Sequence, residues 1–275
     1  MSNSHIQTVA ILTQYNARSL NEHLSSSKWW NFGRKQGGLF LFTPTVTADN
    51  SDWYRGTADA MYQNIDFLKR RHEPYVIISS GDCVYKLDFN RVLDFHIEKK
   101  SDITVVCKDM MYNDDVSRFG VVRMDEESRI TEFDEKPIEA SSNTISTGIY
   151  VIRRRQLIEL LEAAAEENRF DFVNDILVRY KNVKKIYGYK INSYWNNIAD
   201  IDAYFKTNMD FLRPDVRSYF FREEPTICSK VDDLPPAKFN PGSDISNSLV
   251  SSGCIINGRV EDSVQIGRAS CRERV

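Results

Sequence analysis

A glycine and a carboxylate follow directly on an apolar run in Tyr75-Val76-Ile77-Ile78-Ser79-Ser80-Gly81-Asp82-Cys83-Val84-Tyr85-Lys86. Such a run reads as a buried strand, and ligands of open α/β sheets lie beyond the carboxyl ends of strands. Gly81 then lets the chain pass close to a ligand, and Asp82 offers a hard oxygen where Mg2+ bridging phosphates would lie. An aspartate at a turn more often bonds its own backbone, so this motif gains weight only in company.

Two further segments supply that company. Trp53-Tyr54-Arg55-Gly56-Thr57-Ala58-Asp59-Ala60 opens a helix carrying Met61, Ile65 and Leu68 on one face. Free N–H groups and the dipole at such a start suit an anion or a base edge, while plain capping by Thr57 accounts for the same residues. Farther on come Phe119-Gly120-Val121-Val122, Asp134-Glu135-Lys136-Pro137 and Ser146-Thr147-Gly148-Ile149-Tyr150. Glu135 can accept hydrogen bonds from sugar hydroxyls and Lys136 can hold a phosphate as a point charge, although alone this tetrapeptide is a solvated turn.

The elements that must position these residues alternate in type. Thr8–Leu12, Tyr75–Ile78, Ile103–Val106 and Ile149–Ile152 are predicted strands. Met61/Ile65/Leu68, Leu157/Leu160/Leu161 and Ile201/Tyr204/Phe205/Leu212 mark three amphipathic helices, with Thr57 and Asp200 placed to cap the first and third. Alternation of this kind predicts an α/β layered sheet over residues 1–212. Pro214, Pro225, Pro235, Pro236 and Pro241 then punctuate a connector, 213–244. From Ile245 a period of six (Leu249 and Ile255; Cys254, Val260 and Ile266) predicts the first hexapeptide repeats of a left-handed β-helix over 245–265, with an ordinary hairpin as the alternative. Gly253 and Gly258 are placed to relieve its corners. Residues 266–275 resemble the translation of a common sequencing adapter and are set apart from function. The first residues lead straight into a strand with no earlier strand and phosphate loop, which suggests that Met1 is internal to a longer chain.

Composition narrows the partners. With 36 Lys and Arg against 39 Asp and Glu, interspersed, no basic face announces nucleic acid or membrane. Five scattered cysteines without a C-x-x-C pair argue against a disulfide framework or zinc site and fit a reducing cytoplasm.

Taken in order, Trp53 to Ala60, Gly81-Asp82-x-x-Tyr85-Lys86, Phe119-Gly120-Val121, Glu135-Lys136-Pro137 and Ser146-x-Gly148-x-Tyr150 resemble the glucose-1-phosphate adenylyltransferase (ADP-glucose pyrophosphorylase) family over about residues 6 to 265. The resemblance implies a Rossmann-like, GT-A-like nucleotidyltransferase domain, here incomplete at its N-terminus, followed by a β-helix. It implies the reaction of ATP with glucose 1-phosphate to give ADP-glucose and pyrophosphate, by in-line attack with Mg2+. By position, Tyr54, Gly120, Glu135, Lys136 and Ser146 would hold glucose 1-phosphate, Gly56, Thr57 and Gly81 would lie near the nucleotide, and Asp82 would be the catalytic metal ligand.

One position departs from the pattern. Catalytic members carry a second metal carboxylate where Tyr194-Trp195-Asn196-Asn197 here places Asn197. A neutral amide binds a hard dication less well than a carboxylate. Together with the wording of Ser80 to Lys86 and of Ile11 to Leu20, this makes the chain similar to the GlgD-type subunit, implied to modulate a catalytic partner in a hetero-oligomer, expected to be a tetramer. Two alternatives stay open: a competent adenylyltransferase relying on Asp82 and substrate phosphates, and a related enzyme for another base or sugar.

Overall fold

The computed structural model describes residues 1–25, 29–32, 37–45, 53–112, 114–225, 227, 229–230 and 233–271. Cys228 and residues 272–275 of the adapter-like segment lie outside them. The chain runs β1 (Thr8–Leu12), α1 (Ala17–Leu24), β2 (Gly38–Phe42), α2 (Thr57–Gln63), α3 (Ile65–Lys69), β3 (Tyr75–Ser79), β4 (Cys83–Tyr85), α4 (Phe89–Glu98) and β5 (Ile103–Asp109). It continues with β6 (Gly120–Met124), β7 (Ile130–Glu135), β8 (Thr144–Arg153), α5 (Arg154–Glu166), a π-helical stretch (Val173–Val178), β9 (Ile186–Lys190), β10 (Trp195–Asn197), α6 (Ile201–Asp210) and α7 (Pro214–Phe221). Seven short strands follow: β11 (Lys238–Phe239), β12 (Asp244–Ser246), β13 (Leu249–Val250), β14 (Ile255–Ile256), β15 (Arg259–Glu261), β16 (Val264–Gln265) and β17 (Ser270–Cys271).

These elements form two compact units. The first holds β1 to β3, α1 to α5 and β5 to β9; the second is made of residues 29–31, Asp82–Leu87 and the chain from Ser193 onward. The division therefore falls before α6 rather than after Leu212, because β4 pairs antiparallel with β10 and belongs with the later chain.

In the first unit, branched and aromatic side chains pack on a pleated surface and give a mixed sheet in the order β7-β6-β8-β5-β9, with β3 also on β8. The spine is β8. It runs antiparallel to β5 along one edge and, along the other, to β3 through Ile149–Arg153 and to β6 at Ile145. Strand β9 is parallel to β5, and β1 and β2 form a separate parallel ladder. Ile103, Val105, Phe133, Ile152, Phe172, Ile176 and Leu177 make the core, closed by Leu157, Leu160 and Leu161 of α5 and by Met61, Ile65 and Leu68 of α2 and α3. Those two apolar stripes face where their spacing predicts.

The third stripe does not. Ile201 of α6 is 84% exposed and Phe205 62%, while Thr207 is buried. Helix α6 turns its polar face inward because that face is hydrogen-bonded: Asn196 Nδ2 donates to Thr207 Oγ1 at 2.6 Å, and Thr207 Oγ1 donates to the Ala203 carbonyl at 2.7 Å. Asp200 caps this helix as predicted, accepting from the Ala203 amide at 2.7 Å.

In the second unit the short strands form three parallel ladders, β11-β14-β17, β12-β15 and β13-β16. Partners such as Ile245 and Val260, Leu249 and Val264, and Ile256 and Cys271 lie 15 residues apart. Cys254, Ile256, Val260 and Cys271 share the interior, whereas Ile266, predicted to share a register with Cys254 and Val260, is 70% exposed. The corners repeat at the same interval in left-handed backbone. Asn247 (φ 40°) stacks over Asp262 (φ 47°) with a 2.6 Å side-chain hydrogen bond, and Gly253 (φ 77°) matches Arg268 (φ 65°). Gly258, by contrast, has no positive φ. No helix among the described residues is long and apolar enough to cross a membrane.

Candidate functional site

The predicted sugar-phosphate residues all belong to the first unit. Gly120 and Glu135 are direct cross-strand partners on β6 and β7. A Cβ on Gly120 would stand 2.9 Å from Glu135 Oε2 and 2.8 Å from the Phe133 ring, so glycine there leaves room for the carboxylate. Burial pushes the Glu135 carboxyl up, the Lys136 ammonium pulls it down, and the nearby Asp171 carboxylate pushes it up again. Lys136 sits just past β7 in left-handed backbone (φ 48°), its ammonium 3.9 Å from Glu135 Oε1 and largely in solvent. Ser146 is buried on β8, its hydroxyl 3.2 Å from the Tyr150 phenol.

The loop before α2 is fixed from several sides. The Tyr54 amide donates to Gln14 Oε1 at 2.8 Å and its phenol accepts from Asn64 Nδ2 at 3.0 Å. Asp59, only 4% exposed, accepts from the Arg55 amide at 2.8 Å and from Gln63 Nε2 at 3.0 Å. The Arg55 guanidinium lies 3.8 Å over the Phe170 ring.

The amides expected to be open at the start of α2 are spent. Those of Ala58 and Asp59 both donate to the Phe170 carbonyl, at 2.8 and 3.2 Å, and Thr57 Oγ1 accepts from the Phe172 amide at 3.0 Å. Gly56, not Thr57, is the N-cap. Gly56 and Thr57 thus dock the loop on residues 170–172. A Cβ at Gly56 would fall 2.4 Å from the Phe170 carbonyl oxygen. Gly56→Ala is expected to destabilise the chain by about 2 kcal/mol through this overlap, read as a lower urea midpoint; an unchanged midpoint refutes the docking role.

The segment 170–172 also reaches the sugar-phosphate residues. Phe172 packs its ring 5.3 Å from that of Tyr150, and the charge of Asp171 is felt by both Glu135 and Tyr150. Tyr54, Gly56 and Thr57 are thereby linked to Ser146 and Glu135 through groups to which the sequence reading assigned no role: Asp59, the Phe170 carbonyl, Asp171 and Tyr150. For Tyr150 a signal existed, since it closes the Ser146-x-Gly148-x-Tyr150 motif.

The predicted metal residues belong to the second unit, apart from Gly81, where a Cβ would meet no atom within 4 Å. Strands β4 and β10 place Cys83 opposite Asn197, and the Ile198 amide donates to the Asp82 carbonyl at 2.7 Å. The Asn197 amide has a defined orientation. Its Oδ1 accepts from the Ala199 N–H at 3.0 Å, so its Nδ2 faces Cys83 Sγ, at 3.7 Å, and the thiol in turn donates to Asp82 Oδ1 at 3.4 Å. Burial, followed by the Asp82 charge, pushes the thiol up to about 12 and keeps it protonated. Beside Asp82, then, stand an N–H and an S–H rather than a second anionic oxygen. Among the described residues no three His, Cys, Asp or Glu side chains gather as a metal set. Asp82 and Asn197 do not fit a two-carboxylate Mg2+ position.

Lys86, from the same motif, has a structural post. Its ammonium donates to the carbonyls of Tyr219, in the last turn of α7, and Glu223, just past it, and the Tyr219 phenol returns a 2.8 Å bond to the Lys86 carbonyl.

A mixed sheet bearing a buried serine, a glutamate–lysine pair and a glycine loop braced against 170–172 defines a nucleotidyltransferase-type scaffold. The Nucleotidyl transferase family model matches residues 1–213, and the chain belongs to that family. Its similarity runs to glucose-1-phosphate adenylyltransferases. It is 38% identical to that of Clostridium acetobutylicum over 266 residues (96% of this chain, 70% of the relative) and 37% identical to that of Thermosipho melanesiensis over 264 (95% and 64%). It is also 37% identical to that of Clostridium beijerinckii over 278 residues (98% and 72%). The chain thus spans about two thirds of the length of these relatives.

Proposed function

We propose that this chain is the modulatory, GlgD-type subunit of a glucose-1-phosphate adenylyltransferase, working in the cytoplasm as a hetero-tetramer with a catalytic subunit in bacterial glycogen synthesis. The observation that carries the reading is the Asn197 amide, which turns an N–H toward the Asp82–Cys83 turn. With its oxygen engaged by the Ala199 amide and its N–H facing Cys83, Asn197 adds no anionic ligand for the dication that would neutralise charge on ATP phosphates.

The hexose side is better equipped. Glu135 would accept hydrogen bonds from sugar hydroxyls, Lys136 would carry its solvent-facing ammonium to the phosphate, and Ser146 and Tyr54 would orient the ring, with Gly120 leaving the space. Such residues position a phosphate oxygen for in-line attack without any protein nucleophile. When bound, Mg2+ supplies charge neutralisation to this chemistry, and this chain offers it the single carboxylate of Asp82. The β-helix reading of the C-terminal ladders is supported by their parallel stacking, at an interval of 15 residues in all pairings but that of β11 with β14, which spans 17.

A second reading, a competent adenylyltransferase, is favoured by the intact gathering of Glu135, Gly120 and Ser146. The two separate on one assay of ADP-glucose formation, with the full chain alone and with its catalytic partner subunit. Alone, it is expected to reach no more than about one hundredth of the rate of the pair, as the loss of one metal ligand implies. A comparable rate alone overturns the modulatory reading.

A further inference from the structure

Ser146 and Tyr150 stand four residues apart on β8, a separation of about 13 Å along a regular strand. Their hydroxyls nevertheless meet at 3.2 Å. The strand is not regular there: Tyr150 pairs with Val105 and Ser146 with Cys107, so β8 carries two more residues than β5 between the same rungs. Gly148, inside this bulge, has φ 74°, and a Cβ on it would lie 3.0 Å from Ser80 Cβ. Bulges of this kind re-aim side chains beside functional sites.

The proton count then fixes the role of each hydroxyl. Tyr150 is 6% exposed, and Ser146 Oγ is its phenol's hydrogen-bond partner. Burial pushes the phenol up, so it keeps its proton. Either hydroxyl could supply the hydrogen of this contact; with the phenol as donor, its proton goes to Ser146 Oγ. The Gly148 N–H also donates to Ser146 Oγ, at 3.4 Å. A serine hydroxyl has two lone pairs and one hydrogen. With both lone pairs engaged, the Ser146 hydrogen is left to donate outward.

We propose that Tyr150 is a positioning residue, seated by the Gly148 bulge, which makes Ser146 an obligate hydrogen-bond donor to an acceptor oxygen of the bound hexose phosphate. The inference rests on the assignment of Ser146 to that ligand and adds to it the residue that sets its polarity. Phe172, packed on the Tyr150 ring and bonded through its amide to Thr57, holds the phenol in place.

The test is a double-mutant cycle read by calorimetric binding of glucose 1-phosphate to the full chain. Tyr150→Phe and Ser146→Ala are each expected to weaken binding roughly five- to tenfold, and the double variant to bind no more weakly than Ser146→Ala alone. Gly148→Ala, which strains the bulge without touching either hydroxyl, is expected to weaken binding in the same direction. A merely structural Tyr150 would lower the melting temperature and give additive losses, and additivity overturns the inference. So does wild-type binding by Tyr150→Phe alongside weakened binding by Ser146→Ala, which leaves the hexose-phosphate assignment standing. Wild-type binding by Ser146→Ala removes that assignment and this inference together.

Discussion

Asn197→Asp is expected to raise the rate of ADP-glucose formation by the full chain about a hundredfold at saturating Mg2+, since one added charge beside a metal would supply about 3 kcal/mol of transition-state stabilisation. The geometry sets the sign of a second readout. In the native chain Oδ1 of Asn197 serves the Ala199 amide, and an aspartate keeps that bond with one oxygen. Its other oxygen replaces the Nδ2–H facing Cys83, next to the Asp82 carboxylate. Two close carboxylates repel, so without a divalent ion the variant should melt below the native protein. Mg2+ should raise its melting temperature more than that of the native protein, because a ligand that binds only the folded state stabilises it by mass action. A variant that gains neither rate nor an Mg2+-dependent rise in melting temperature refutes the account of why this position is silent.

Acid should weaken the first unit by about 3 kcal/mol between pH 6.5 and 4, through His96. This side chain at the end of α4 is 1% exposed; its Nδ1 is 2.9 Å from Thr104 Oγ1 and its ring lies edge-on to Tyr75. Its Nε2 is buried without a hydrogen-bond partner among the described residues. Burial, and secondarily the charge of Arg153, push the imidazole down to about 4, with Asp102 opposing. The unfolded chain takes up a proton near pH 6.5 and the folded chain does so only near 4. Stability from this group is therefore whole above pH 6.5 and is lost as pH falls through that window. Urea midpoints across the window should fall for the native protein and flatten for His96→Gln, which keeps a polar group for Thr104 but does not titrate. An equal slope in the variant assigns the loss to other groups.

Much of the scaffold was legible because burial and periodicity agree in it. Thr8–Leu12 matches β1, and the stripes of Met61/Ile65/Leu68 and Leu157/Leu160/Leu161 face the core. What failed did so for local reasons. Strand β8 begins at Thr144, five residues before its apolar run, because Ser146-Thr147-Gly148 has the composition of a turn and is in fact a bulge. Helix α6 was recognised but faced wrongly, since hydrogen bonds to Thr207 outweigh the burial that Phe205 offers. The interval of six holds for Cys254 and Val260, both interior, but not for Ile266, which lies outside it; the repeat of 15 shows in Asn247 and Asp262 at matching corners. In the site, the motifs supplied Glu135, Lys136 and Ser146, but not the carbonyl of Phe170 that uses the α2 amides, because a backbone acceptor has no side-chain signature.

The position of β8 bears on the order in which the molecule comes apart. A strand bonded on both edges along its length can exchange its amide hydrogens with solvent only when at least one neighbour has already separated. The amides of Tyr150 to Ile152, held between β3 and β5, should thus be among the slowest to exchange, while the separate β1–β2 ladder exchanges early. Ser146, paired with Cys107 on the far side of the bulge, borders that slow segment, so the hydroxyl proposed to meet the hexose is tied to the part of the sheet that opens last.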